Sequence, residues 1–209
     1  LVKVYLIRHG ESEGNRNKIF QGCLDYELTR EGIQQAYKLA ERLKFCQIQR
    51  IYSSGLVRAY TTAKIIAVHH NISVNKLREF NEIDFGILQG KTRPEIEKTY
   101  PEILKAFFQY PHEVYFPEGE TLNEMKTRVL KGLKRIIKEN KGYSVCIVAH
   151  GIVNKVIMCT VEGKPLSKIW DYPQDNTALN ILMFFKGINS GRVIKLNDTQ
   201  HLEKRDYRL

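Results

Sequence analysis

Val2-Lys3-Val4-Tyr5-Leu6-Ile7-Arg8-His9-Gly10 is a short apolar run, Val2 to Ile7, that stops at an Arg-His-Gly turn. Ser144 to Ala149 repeats the design and runs into His150-Gly151. Both runs read as strands, so each histidine is predicted where a strand ends. Between them, Thr29 to Leu43 carries Ile33, Ala36, Leu39, Ala40 and Leu43 at helical spacing, with Thr29 placed to cap. Ile51 to Ser53 reads as a strand, and Leu56 to His69 as a helix. Thr121 to Lys138 reads as a helix opened by the capping box of Thr121 and Glu124, and Thr92 with Glu95 suggests another such start. Ile152 to Thr160 follows as a helix, and Ala178 to Phe185 and Arg192 to Leu196 as closing strands. This alternation predicts an α/β three-layer sandwich, a mainly parallel central sheet with helices on both faces. Ligands of such sheets bind beyond the carboxyl ends of the strands, so the two His-Gly turns are expected to face one pocket.

With 209 residues, no internal repeat and no linker-like composition shift, residues 1–209 read as a single domain. The 33 Lys and Arg against 23 Asp and Glu give a formal net charge of +10. Such a field attracts phosphorylated metabolites as readily as nucleic acid. The basic residues are scattered, however, and the densest run, Glu203 to Arg208, is interrupted by acids, so a solvated surface is expected and nucleic acid is not. No apolar stretch reaches membrane-spanning length and no signal-peptide cleavage pattern opens the chain, which predicts a soluble cytoplasmic protein. Cys23, Cys46, Cys146 and Cys159 lie far apart and read as reduced, mostly packing residues.

Several phosphate chemistries are excluded by pattern. There is no G-x-x-x-x-G-K-[ST], no G-x-G-x-x-G, no D-x-D and no H-E-x-x-H. Cys23 and Arg30 are separated by six residues where a cysteine phosphatase loop wants five. What remains is Arg8-His9-Gly10 followed by Glu11-Ser12-Glu13-Gly14-Asn15. The segment Leu6 to Asn15 resembles the signature of the histidine phosphatase superfamily, which includes cofactor-dependent phosphoglycerate mutases and many small phosphatases. Further segments agree in order: Leu28 to Gly32 with Gln35-Ala36, Tyr52 to Ala59 with Thr62-Ala63, Asn81 to Gly86 with Gly90, and Val148 to Gly151. The resemblance covers essentially the whole chain and implies the phosphoglycerate mutase-like fold.

It also implies roles. His9 would attack phosphorus through one unprotonated ring nitrogen and form a phosphohistidine. Arg8, Arg58 and a protonated His150 would clamp the phosphoryl oxygens, with Asn15 and the backbone around Gly151 adding neutral donors. Glu82 would protonate the leaving oxygen and then activate water, which requires a protonated carboxyl beside the dianionic substrate. Gln21 would sit near the nucleophile and touch substrate. No cofactor and no metal ligand are implied. Taken singly these residues read more blandly: a strand-end His beside Gly is commonly a turn residue, Arg58 an exposed helix arginine, and Glu82 a surface carboxylate that only the resemblance separates from Glu79. His69 and His70 read as solvated, and His112 and His201 as candidates for a pocket lining.

Mutases of the family usually carry an aromatic residue where Gly14 stands, and a longer middle and C-terminal portion. This chain lacks both and resembles the phosphatase branch. The expected function is a metal-independent phosphomonoesterase acting on a small phosphorylated metabolite. The alternatives are a cofactor-dependent phosphoglycerate mutase, or a non-catalytic phosphate or nucleic-acid binder. Oligomeric state stays open, a homodimer included. The segment Tyr100 to Glu120, with Phe107, Phe108, Tyr110, Tyr115 and Phe116 and broken by Pro101, Pro111 and Pro117, is the expected specificity element, though most of its rings read as core.

Overall fold

A computed structural model describes residues 1–203; the part of the basic run that spans residues 204–208 lies outside the described residues. The chain forms β1 (Val2–Arg8), α1 (Glu13–Arg16), α2 (Arg30–Leu43), β2 (Arg50–Ser53), α3 (Val57–Ala67), β3 (Val74–Lys76), α4 (Arg93–Thr99), α5 (Pro101–Gln109), α6 (Leu122–Glu139), β4 (Ser144–Ala149), α7 (Gly151–Val161), β5 (Leu179–Phe184) and β6 (Gly191–Asp198). One six-stranded sheet runs β3-β2-β4-β1-β5-β6. β3, β2, β4 and β1 pair in parallel, and β5 is antiparallel to both β1 and β6. Sheet and helices thus form the α/β sandwich that the sequence predicts.

The pattern of each element explains its place. β1 and β4 are apolar on both faces because both faces are covered. Tyr5, Ile7, Cys146 and Val148 point into one core with Leu39 and Leu43 of α2 and Ala59, Ala63 and Ile66 of α3. Val4, Leu6, Ile147 and Ala149 point into the other with Val129, Leu133 and Ile136 of α6 and Val153 and Ile157 of α7. Alternate residues of one strand feeding two cores is the period-two geometry of a central strand. Each fully buried leucine or isoleucine contributes about 1.5–3 kcal/mol, so the sandwich fixes β1 and β4 as neighbours. Their register sets Arg8 opposite Ala149, and His9 and His150 follow side by side.

The helix starts carry the expected caps. The Thr29 hydroxyl accepts from the Gly32 N–H, and Thr92–Glu95 and Thr121–Glu124 form capping boxes. The segment 100–120 departs from the expectation. Pro101 begins α5 instead of breaking the chain, since proline at the first helical position sacrifices no internal hydrogen bond. Only Phe107 and Phe116 of its five rings are core residues; Phe108, Tyr110 and Tyr115 are exposed. Among the cysteines, all free, Cys146 and Cys159 are buried packing residues. No helix of the described residues is long and apolar enough to cross a membrane.

Candidate active site

A cavity of about 250 Å³ opens beyond the carboxyl ends of β1 and β4, lined by Arg8, His9, Asn15, Gln21, Arg58, Glu82 and Gly151 among others. Seven of the eight residues singled out from the sequence therefore share one pocket. The eighth, His150, is fully buried beside it, its ring 5.1 Å from that of His9 in an edge-on arrangement.

The geometry leaves one ring nitrogen of His9 unprotonated. His9 Nδ1 lies 2.7 Å from the carbonyl of Gly10, and because a carbonyl only accepts, Nδ1 carries the hydrogen. Nε2 is left with its lone pair. Burial, then Arg58 and Arg8, holds the His9 pKa well below the ordinary histidine value, so the ring is neutral at pH 7. His150 is depressed likewise, by burial first and then Arg58, His9 and Arg8. Its Nε2 is 2.7 Å from Ser54 Oγ. That hydroxyl donates to Asn81 Oδ1 and accepts from the Leu56 N–H, so it takes the His150 Nε2 hydrogen. His150 Nδ1 has no partner within the described residues.

The two arginines are held from behind. Arg8 donates through one terminal nitrogen to the Gln174 carbonyl, and Arg58 donates to the carbonyls of Leu24 (2.8 Å) and Gly22 (2.7 Å). Both leave a buried Nε–H without a partner among the described residues. Buried polar groups are normally paired, so each of these N–H groups can take an acceptor from water or from a ligand in the cavity. Burial lowers the pKa of Arg58 to about 10, which still leaves it charged at pH 7. Asn15 Oδ1 accepts from the Ser12 N–H and from Asn176 Nδ2, so its amide nitrogen remains available as a donor.

Structure also separates the two glutamates. Glu79 pairs with Arg135 at 2.9 Å, away from the cavity. Glu82 lines it and accepts from the N–H groups of Ile83, Ile152 and Val153, the last two at the start of α7. A methyl added to Gly151 would lie 3.9 Å from Glu82 Oε2 and 3.8 Å from Arg8 Nε, so Gly151 keeps open the space between acid and cation. Gly14 has a different reason. A Cβ there would stand 2.3 Å from Cγ of Gln21, whose Oε1 accepts from Ser12 Oγ. Gln21 thus occupies the room that a larger residue at position 14 would need.

The pocket contains groups that sequence reasoning missed. Lys155 and Gln174 line it, and Phe20 and Phe85 form an apolar wall backed edge-on by Phe107 and Phe116 at ring distances of 5.1 to 6.2 Å. Arg128 of α6 donates to the carbonyls of Glu79, Asn81 and Glu82 and to the carboxylate of Glu120, stapling the loop that presents Glu82. The i, i+4 spacing of Gly151 and Lys155 was visible; nothing local marks Arg128 or Gln174. The other histidines lie elsewhere. His69 is exposed and paired with Glu41, His112 is exposed beside Glu113, and His201 lines a separate cavity against α2; His70, expected to be solvated, is partly buried. No three His, Cys, Asp or Glu side chains cluster as a metal-binding set among the described residues.

The fold and these paired histidines and arginines define a phosphate-handling enzyme of the histidine type. The profile of the histidine phosphatase superfamily (branch 1) matches residues 4–199, and the chain belongs to that family. It is 36% identical over 202 residues to phosphoserine phosphatase 1 of Hydrogenobacter thermophilus, covering 97% of this chain and 95% of that one. It is 34% identical over 207 residues to phosphoglycerate mutase-like protein 4 of Arabidopsis thaliana, covering 97% and 87%. The solved structure of Bacillus stearothermophilus YhfR superposes with a TM-score of 0.93 at 31% identity, covering 97% of this chain and 100% of that one.

Proposed function

We propose that this protein is a metal-independent phosphomonoesterase that cleaves a small phosphorylated metabolite through a phosphohistidine at His9. The observation that carries the reading is the His9 ring: its Nδ1 hydrogen is tied to the Gly10 carbonyl, and two buried arginines whose Nε–H groups have no partner among the described residues line the same cavity. In the first step Nε2 attacks phosphorus in line as the ester P–O bond breaks. The leaving oxygen takes a proton from Glu82. Water then attacks the phosphohistidine, Glu82 takes the water proton, and inorganic phosphate leaves His9 free. Arg8, Arg58, Asn15 and the start of α7 supply donors to the three equatorial oxygens.

A cavity of about 250 Å³ suits a phosphoryl group with a few carbons rather than a large ligand. Relatives named as phosphoserine phosphatase and phosphoglycerate mutase-like protein act, by those names, on esters of that size. Water as the acceptor fits the placement of Gln21, which fills the space beside Gly14 where the family's mutases carry an aromatic ring.

The test is phosphate release from 3-phosphoglycerate, phosphoserine, sugar phosphates and an aryl phosphate in EDTA, with His9→Ala alongside. Release by the native protein at full rate in EDTA is expected, with a loss of several orders of magnitude and no acid-labile phosphoenzyme in the variant. Activity lost in EDTA and restored by a divalent cation, or retained by His9→Ala, overturns the scheme. Isomerisation of phosphoglycerate primed by the bisphosphate, faster than hydrolysis, would assign the mutase reaction instead.

A further inference from the structure

Lys155 is a cation that the cleavage scheme does not use. It lies four residues after Gly151 on α7, so the two share one helix face, and both line the active-site cavity. Its ammonium donates to the carbonyl of Tyr172 and stands 5.3 Å from the centre of the Trp170 ring. No carboxylate of the described residues lies within ion-pair distance of it. The nearby Asp175 is exposed and its carboxylate accepts from Asn197. Two of the three ammonium hydrogens thus have no partner among the described residues, and Glu82 is the only carboxylate of the described residues that lines the cavity with Lys155. Burial, and then Arg8, lowers the Lys155 pKa, as for a cation lacking a full complement of counter-charge.

The charge count gives this lysine a task. Arg8, Arg58 and Lys155 face the cavity, and Glu82 must be protonated to act as the acid. A phosphate dianion then leaves one positive charge uncompensated, and a second once His150 takes up its proton. The rise from Gly151 to Lys155 is about 6 Å along α7, roughly the span from a phosphoryl group to an acid group two or three carbons away. The aromatic wall of Phe20 and Phe85 accommodates the carbons between.

Resting on the phosphomonoesterase reading, we infer that Lys155 is a specificity-determining residue that receives a second acidic group of the substrate, so that phosphorylated carboxylic acids are favoured over otherwise similar uncharged esters. The matched pair 3-phospho-D-glycerate and sn-glycerol 1-phosphate isolates that group, since they share the arrangement at C2 and differ in a carboxylate against a hydroxymethyl. Their affinities are measured by calorimetry on His9→Ala protein, alone and combined with Lys155→Met or Lys155→Arg, and their kcat/KM on the protein with His9 intact. The expected result is at least about a tenfold preference for 3-phosphoglycerate, the value of one charge-assisted hydrogen bond. Lys155→Met brings the ratio of affinities to within about twofold, and Lys155→Arg keeps most of it. A missing preference, a preference that survives Lys155→Met, or equal weakening of both ligands overturns the role of Lys155. Preferred binding of 3-phosphoglycerate without phosphate release upholds Lys155 and overturns the esterase reading. Equal release from both esters does the reverse.

Discussion

At the residue scale the two histidines differ in what their second nitrogen meets. His9 spends its hydrogen on Gly10 and keeps a lone pair, whereas His150 gives its hydrogen to Ser54 and presents a bare Nδ1. Both are neutral in the empty pocket because burial and the arginines disfavour a further charge. A phosphate dianion reverses the balance at His150, since an opposite charge close by restores the imidazolium. Binding of inorganic phosphate as the dianion at pH 7.5 should therefore take up protons from solution, up to one per site less the fraction released by the phosphate monoanion present at that pH. Calorimetry in buffers of different ionisation enthalpy measures this directly. His150→Gln should abolish most of the uptake, and buffer-independent heats with His150 present would show that the ring stays neutral. His9, Arg8, Arg58, Glu82 and His150 were legible in the sequence because their spacing follows a family signature. Lys155 was not, because a lysine on a helix normally points to solvent, and only the fold turns this helix face into a pocket wall.

Among the elements, α6 does more than cover the sheet. Its Arg128 places a guanidinium under the loop 79–84, with three carbonyls and Glu120 as acceptors. The three carbonyl contacts join residues 46 to 49 positions apart, which no local pattern records. If the loop is held so that Glu82 can protonate the leaving oxygen, the effect of loosening it depends on the ester. Arg128→Met should slow cleavage of an alkyl phosphate about tenfold or more, and that of an aryl phosphate much less, because a phenolate leaves with little help from an acid. Glu82→Gln should show the same dependence more steeply. Equal losses on both esters in Arg128→Met would assign Arg128 a purely structural role. The helices and strands themselves were readable from periodicity and caps, with ends displaced by one or two residues. Three elements were not read: the short α1 and β3, too brief to show a period, and α5, hidden by the prolines at 101 and 111, which read as breaks although Pro101 starts the helix.

For the whole molecule, building a neutral dyad into the junction of two strands has a stability consequence in acid. His9 and His150 are almost completely buried, and their pKa values in the folded chain lie well below 6.5. In the unfolded chain both protonate near 6.5, so as pH falls through that value the unfolded state binds protons that the folded state refuses. Stability should then fall by up to about 1.4 kcal/mol per pH unit for each ring, or about 4 kcal/mol for the pair between pH 7 and pH 5. The carboxylates act lower. Asp198, whose pKa is depressed chiefly by its paired Arg42, contributes stability that is present above the ordinary aspartate value of 3.8 and lost below it. Urea unfolding between pH 7 and pH 5 separates the two windows. The free protein should show the steep loss, and the double variant His9→Gln, His150→Gln a shallower one. Saturating inorganic phosphate should also flatten the slope, since the complex holds the proton at His150 that the empty pocket rejects. A pH profile shared by the native protein, the double variant and the phosphate complex would mean that the histidines titrate alike folded and unfolded, which removes the neutral-dyad basis for His9 as the nucleophile.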